Sequence, residues 1–118
     1  MSRKRRDKEY LADAVEAVQR IVAYTGELTY EEFLADRKTQ QDAVLRNLQV
    51  MGEAVKRLSA PVKQARPHLP WKQMAGMRDK VVHDYFGINY DIVWALAKKE
   101  LPALLPSLTA IHPEGEQP

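Results

Sequence analysis

Three side chains suited to phosphate chemistry, Arg78, His83 and Tyr85, lie within eight positions of one another in the segment GMRDKVVHDYFG, Gly76 to Gly87. A guanidinium group can bind and neutralise phosphoryl oxygens. An imidazole can take a proton from a nucleophile or give one to a leaving group. RNA carries its own nucleophile, the 2′-hydroxyl. The segment therefore indicates a candidate site for RNA cleavage that requires no metal ion and no cofactor.

The spacing of these residues on a helix limits what each can do. Asp79 and His83 are four residues apart, so the carboxylate can accept a hydrogen bond from the imidazole and fix its tautomer. Arg78 and His83 are separated by about 140° around the helix axis, so they flank a common edge without stacking. Tyr85 follows Arg78 by seven positions and is expected near the same azimuth, about 10 Å further along the axis.

One copy of this segment is chemically incomplete, because acid and base catalysis at one phosphate needs two proton-transfer groups. A homodimer would supply two histidines and two arginines, which makes dimerisation part of the expected mechanism. The spacing alone also permits a purely structural interpretation. In that case Arg78 forms a surface ion pair, Asp79 satisfies His83, and Tyr85 is half-buried.

The helices that must position these residues can be predicted from hydrophobic periodicity. Apolar residues at three- and four-residue steps predict a first helix over Asp7–Thr25, which Gly26 ends. Thr29 and Glu32 have the spacing of a capping box, which predicts a short second helix with a break near Asp36.

A long helix follows over Lys38–Leu58, with Gly52 inside its apolar stripe. A glycine there costs about 1 kcal/mol relative to alanine, which indicates a close helix crossing. The stretch APVKQARPHLPW, residues 60–71, contains three prolines and predicts a loop or broken turn. Trp71–Tyr85 is then the helix that carries the candidate site. Its Met74, Met77 and Val81 are expected to face the core.

A last helix is predicted to open at Asn89 or Tyr90, and Pro102 is expected to kink or restart it. No segment alternates with a period of two. The pattern predicts one domain over residues 1–118, an all-α antiparallel bundle of four main helices plus a short one. A basic arm at about residues 1–6 and a frayed tail at about residues 112–118 are expected to flank the bundle.

Composition narrows the class of protein further. The chain has 118 residues, a net charge of +2 and no cysteine, which excludes disulfides, thiolate zinc sites and cysteine nucleophiles. No apolar run approaches the roughly 18 residues of a membrane helix. The basic start MSRKRRDKEY lacks the apolar region of a secretory signal, so a cytoplasmic location is expected. Arg3–Arg6 are expected to be either a solvated tail or a phosphate-contacting arm.

The remaining histidines and the tryptophans give weaker signals. His68 and His112 are expected at the surface without a special role, and no carboxylate–histidine cluster has metal-ligand spacing. Trp71 and Trp94 are expected to anchor the core or an interface.

The segment RDKVVHDY fits the R-x4-H-x-Y form of the motif found in HEPN-domain ribonucleases. With its flanks, the sequence resembles the HepT-type toxin family over most of the chain, roughly Arg6 to Leu108. The run GMRDKVVHDYFGINYDIVW is the most specific part. The resemblance implies an all-α bundle, in agreement with the hydrophobic period. It also implies a homodimer whose two motifs face a shared cleft and cleave RNA without a metal ion.

The resemblance also implies roles for individual residues. Arg78 matches the catalytic arginine that stabilises the scissile phosphate, and His83 matches the catalytic acid or base. Tyr85 matches a tyrosine to which a nucleotidyltransferase antitoxin adds AMP units, which silences the toxin. Asp79 occupies the polar position after the arginine, and its assistance to His83 is inferred from helix geometry.

The expected function is therefore the toxin component of a toxin–antitoxin system, an HEPN-type endoribonuclease. Two alternatives stay open. The chain could be a non-catalytic helical docking or nucleotide-binding partner of a nucleotidyltransferase. It could also be a nucleic-acid binder that acts through its basic arm.

Overall fold

The structure, a computed structural model, describes residues 6–36, 41–83 and 87–113, and every regular element in these ranges is helical. The elements are α1 (Asp7–Gly26), α2 (Tyr30–Ala35), α3 (Asp42–Arg57), α4 (Ala60–Gln64), α5 (Trp71–His83), α6 (Tyr90–Ala95), a π-helical turn (Leu96–Glu100) and α7 (Leu101–Thr109). The predicted all-α fold class is confirmed.

The long helices pack side by side in the order α5, α3, α1 and α7. Contacts near the helix ends show that α1 is antiparallel to both of its neighbours. Asp7, at the start of α1, accepts hydrogen bonds of 2.8 and 2.6 Å from the backbone N–H and the hydroxyl of Ser59, just beyond α3. Lys98, shortly before α7, donates a 2.9 Å hydrogen bond to the carbonyl of Thr25 in the last turn of α1.

One continuous cluster of apolar side chains, drawn from all of these elements, forms the core. The predicted stripe of α3 is buried along its whole length: Val44, Leu45, Leu48, Met51, Val55 and Leu58. Helix α1 also buries Thr25, a polar residue outside its predicted stripe. The Thr25 hydroxyl donates a 2.9 Å hydrogen bond to the carbonyl of Ile21, so its burial leaves no unsatisfied donor.

The short helix α2 is fixed by its cap and by one aromatic side chain. The backbone N–H of Glu32 donates to the Thr29 hydroxyl at 3.1 Å, and the N–H of Thr29 donates to the Glu32 carboxylate at 2.9 Å. The predicted capping box is thus confirmed. Phe33 is fully buried, with its ring centroid 6.1 Å from that of Tyr90 and 5.2 Å from that of Trp94. Helix α2 therefore docks onto α6.

The stretch expected to be a loop or broken turn contains a helix, α4, so that prediction is wrong for residues 60–64. Pro61 lies in the first turn of α4, where the missing N–H removes no intrahelical hydrogen bond. Trp71, the first residue of α5, joins α5 to the end of α4 and the residues that follow it. Its indole N–H donates hydrogen bonds to the carbonyls of Lys63 and Arg66 at 3.1 and 2.9 Å. This packing confirms that Trp71 anchors the core.

Helix α6, the π turn and α7 form one continuous helical segment. Asn89 caps its start by accepting hydrogen bonds of 2.9 and 3.3 Å from two backbone N–H groups. In an α-helix the ring of Pro102 would clash with the carbonyl of Lys98, four residues earlier. The π turn changes the pitch at this point, and α-helix resumes at Leu101. The predicted restart near Pro102 is confirmed.

Two predicted helix boundaries lie outside the described residues, namely the start of the long helix at Lys38 and the end of the motif helix at Tyr85. Most of the predicted basic arm and the last five residues of the predicted tail also lie outside them. Within the described ranges, no helix combines the length and the apolar character needed to cross a membrane.

Candidate functional site

The candidate site lies at a close crossing of α3 and α5. A Cβ atom added to Gly52 would lie 2.6 Å from the backbone nitrogen of Arg78 and 3.0 Å from the carbonyl oxygen of Met74. Both distances are shorter than ordinary Cβ contacts, so a larger residue at position 52 would push the helices apart. The close crossing predicted at Gly52 is confirmed, and it fixes the helix that carries the candidate catalytic residues.

The guanidinium group of Arg78 lies between two carboxylates. Its Nε atom is 3.3 Å from Oε1 of Glu53 on α3, and its Nη1 atom donates to Oδ1 of Asp79 at 3.0 Å. Glu53 directly follows Gly52, so the close crossing also brings this carboxylate to Arg78. About a third of the Arg78 side chain, 35%, remains exposed. The guanidinium group is therefore both oriented and accessible from solvent.

Glu53 binds a second arginine at the same time. Its Oε2 atom accepts a 2.7 Å hydrogen bond from Nε of Arg57, one turn later on α3. One carboxylate thus bridges two guanidinium groups that belong to different helices. Glu53 and, more weakly, the phenolic oxygen of Tyr10 on α1 raise the pKa of Arg57. The sequence interpretation missed Glu53 and Arg57, although their four-residue spacing beside Gly52 was a usable signal.

Asp79 is engaged by Arg78 and not by the histidine that helix spacing had suggested. Its hydrogen bond with Arg78 lowers the pKa of the Asp79 carboxyl below 3.8, and the charges of Lys56 and His83 add smaller effects in the same direction. Within the described part of the chain, no hydrogen bond joins Asp79 to His83. Its assistance to the imidazole therefore stays a prediction, while its contact with Arg78 is observed.

His83 is the last residue of α5, and its side chain is exposed. It lies five residues beyond Arg78, about 7.5 Å further along the helix axis. An exposed imidazole can approach a large substrate such as a nucleic acid. Tyr85 lies outside the described residues, so its role stays a prediction from the sequence.

A groove of about 380 Å³ opens beside Arg78, between α1, α3 and α5. Three arginines line it, Arg46, Arg57 and Arg78, and we call it the arginine groove. Its lining also includes Tyr10, Gln49 and the carboxylates of Asp13 and Glu53. Three guanidinium groups against two carboxylates leave an excess of one positive charge among these residues. The groove is therefore suited to an anionic ligand.

The other singled-out residues lie away from this groove. His68 and His112 are exposed, as expected. Trp94 packs on Phe33 and Tyr30, with ring centroids 5.2 and 5.7 Å apart, which confirms its structural role. In the ranges that the structure describes, no group of three or more histidine, aspartate and glutamate side chains is placed to hold a metal ion.

Comparison with known proteins gives consistent matches over most of the chain. A model of the HepT-like ribonuclease family matches residues 14–111, a range that includes the whole span from Glu53 to His83. A Thermococcus cleftensis protein named probable ribonuclease HepT is 44% identical over 101 residues, which cover 86% of this chain and 91% of that protein. A Methanocaldococcus jannaschii protein named as a candidate RNase is 43% identical over 114 residues, 97% of each chain. No solved structure matches the chain.

Proposed function

The chain belongs to the HepT-like ribonuclease family, and from this premise we propose that it is the toxin of a toxin–antitoxin pair. In this proposal it is a metal-independent endoribonuclease that acts as a homodimer in the cytoplasm, and a nucleotidyltransferase antitoxin silences it. The observation that carries the proposal is the guanidinium group of Arg78, which two carboxylates orient while it stays open to solvent. His83, five residues further on, supplies the proton-transfer group that phosphodiester cleavage needs.

Arg78 is proposed to bind the scissile phosphate. A guanidinium group has five N–H donors. Among the described residues, Glu53 and Asp79 engage the Nε and Nη1 positions of Arg78, and its Nη2 donors are proposed to bind phosphoryl oxygens. Because the carboxylates fix the plane of the group before substrate binds, little reorganisation is needed when negative charge develops in the transition state.

His83 is proposed to transfer the protons. As a base it removes the proton of the 2′-hydroxyl, whose oxygen then forms a bond to phosphorus while the bond to the 5′-oxygen breaks. The leaving 5′-oxygen takes a proton from a second histidine. In a homodimer, the other copy of the chain supplies that second histidine, which is why we propose the dimer as the active form.

The test is cleavage of an RNA oligonucleotide by the purified protein in the presence of EDTA. His83→Ala should lower the rate by about 10²-fold or more, the usual contribution of general acid–base catalysis. Arg78→Ala should also lower it strongly. His68→Ala, which removes an exposed histidine away from the site, is the matched control and should retain the wild-type rate. Equal rates in the wild type and both site variants would contradict the assignment of Arg78 and His83.

Silencing is proposed to act through Tyr85. A phosphodiester-linked adenylate at this residue would add bulk and negative charge close to the motif arginine in sequence, where it would compete with RNA phosphate. Coexpression with the partner nucleotidyltransferase should raise the intact mass of the chain by AMP-sized units. Tyr85→Phe should abolish that gain, and a gain that persists in this variant would contradict the assignment of Tyr85.

A further inference from the structure

We propose that the arginine groove binds the RNA strand next to the scissile phosphate, with Arg57 as the contact to the neighbouring phosphate. This inference rests on the proposed function, because it extends the RNA site outward from Arg78. It assigns a binding role to residues on α1 and α3, outside the motif helix.

The first observation is the bridge that Glu53 makes between two arginines. Its two carboxylate oxygens lie 3.3 Å from Nε of Arg78 and 2.7 Å from Nε of Arg57. The two guanidinium groups are therefore held no further apart than one carboxylate can span. An RNA strand carries one negative charge per nucleotide, so a cation that binds one phosphate benefits from a second cation beside it. Arg57 is placed to be that second cation.

The second observation is that Arg57 is oriented without being buried. Glu53 accepts a hydrogen bond from the Nε atom of Arg57. Tyr10 on α1 lies close enough to Arg57 to raise the pKa of its guanidinium group slightly. The side chain is nevertheless 58% exposed. An exposed arginine that is already oriented loses less conformational freedom when it binds a phosphate than an unrestrained one.

The third observation is the length of the groove. Arg46 lies eleven residues before Arg57 on α3, which places them about 16 Å apart along the helix axis. Both line the same groove, together with Tyr10. Proteins that bind single-stranded nucleic acid combine cationic groups that follow the backbone with aromatic side chains on which bases stack. The groove therefore fits a short stretch of single-stranded RNA.

The chain offers a matched control for the test. Arg20 forms a 3.1 Å ion pair with Glu16 at the same four-residue spacing, and its side chain is 57% exposed, against 58% for Arg57. Arg20 lies on α1 and does not line the arginine groove. Arg20→Ala thus removes the same kind of exposed, paired arginine from the adjoining groove, which shares Asp13, Arg46 and Val50 with the arginine groove, and so it tests whether the RNA contact is confined to the arginine groove.

The experiment measures binding of a fluorescent single-stranded RNA by chains that carry His83→Ala, which prevents cleavage. Arg57→Ala should weaken binding about tenfold, as expected for the loss of one charge-assisted contact. It should also reduce the slope of log K against log salt concentration by about 0.7, the value for one phosphate contact in a single strand. Arg46→Ala should change both quantities in the same direction, and Arg20→Ala should leave both unchanged.

Arg57→Ala also removes one partner of Glu53, and this carboxylate could then shift and change the position of Arg78. Arg46→Ala leaves both ion pairs of Glu53 in place, so it tests the groove without that indirect effect on Arg78. If Arg46→Ala and Arg57→Ala both bind RNA like Arg20→Ala, or if the His83→Ala chain binds no RNA at low salt, the inference is wrong. Failure of the proposed function gives a different result, in which His83→Ala does not lower RNA cleavage. Binding through the groove would then still be measurable.

Discussion

Replacing Gly52 with alanine should destabilise the protein by forcing α3 and α5 apart. The new Cβ atom would lie 2.6 Å from the backbone nitrogen of Arg78, whereas ordinary contacts begin at 3.4 Å, so the separation must grow by about 0.8 Å. Overpacking of this kind costs about 1–3 kcal/mol. The higher helix propensity of alanine stabilises the folded protein by about 1 kcal/mol and so offsets part of this cost. Because the obstructing atom belongs to the backbone and cannot rotate away, we expect the overpacking cost to lie in the upper part of this range, about 2–3 kcal/mol, and the net loss to be about 1–2 kcal/mol.

Urea denaturation followed by far-ultraviolet circular dichroism measures this loss directly. Gly76→Ala is the matched control, because Gly76 lies inside α5 and, apart from its chain neighbours and the backbone of its own helix, no described atom lies within 4 Å of the position its Cβ would take. That variant should gain up to about 1 kcal/mol from helix propensity alone. If Gly52→Ala were as stable as Gly76→Ala, the close crossing would not be what requires glycine at position 52.

Three further predictions concern the core, a helix cap and an ion pair. Phe33→Ala should lower the free energy of unfolding by about 3–5 kcal/mol, because Phe33 is fully buried, whereas Leu34→Ala, at a site 39% exposed, should cost much less in the same urea titration. Thr29→Ala should cost about 1 kcal/mol through loss of the α2 cap, and an unchanged urea midpoint would contradict that role. Arg78 lowers the pKa of Asp79, so this contribution to stability is present above about pH 3.8 and is lost as the pH falls through the lowered pKa. Arg78→Gln should return the pKa of Asp79 towards 3.8 in an NMR titration, and no change would exclude Arg78 as the cause.

The helices could be predicted because their signals are local. The apolar stripe of α3, the capping box at Thr29 and the restart near Pro102 each depend on residues within one or two turns of one another. The error at α4 has the same local character. The three prolines of residues 60–71 predict a break in the helix, but Pro61 lies in the first turn of α4, where a proline is compatible with a helix.

The candidate site could be predicted only in part, because half of it comes from another helix. Arg78 and His83 are visible in the motif, but Glu53 lies 25 positions before Arg78, and no local pattern joins them. Gly52 was the one residue whose unexplained presence in an apolar stripe marked the place where α3 meets α5. Asp79 illustrates the opposite problem, since helix spacing indicates His83 as its partner, whereas the hydrogen bond observed for this carboxylate comes from the adjacent Arg78.

In the proposed mechanism, Arg78 and His83 promote attack of the RNA 2′-hydroxyl on the neighbouring phosphate. The most direct measurement compares two oligonucleotides in EDTA after the cleavage position of the wild-type protein has been mapped. One is all RNA, and the other carries a single 2′-deoxynucleotide immediately before the cleaved bond. Cleavage at this bond should be lost in the second oligonucleotide. Equal cleavage of both oligonucleotides would contradict the proposed mechanism, because the attacking oxygen would then have to come from elsewhere.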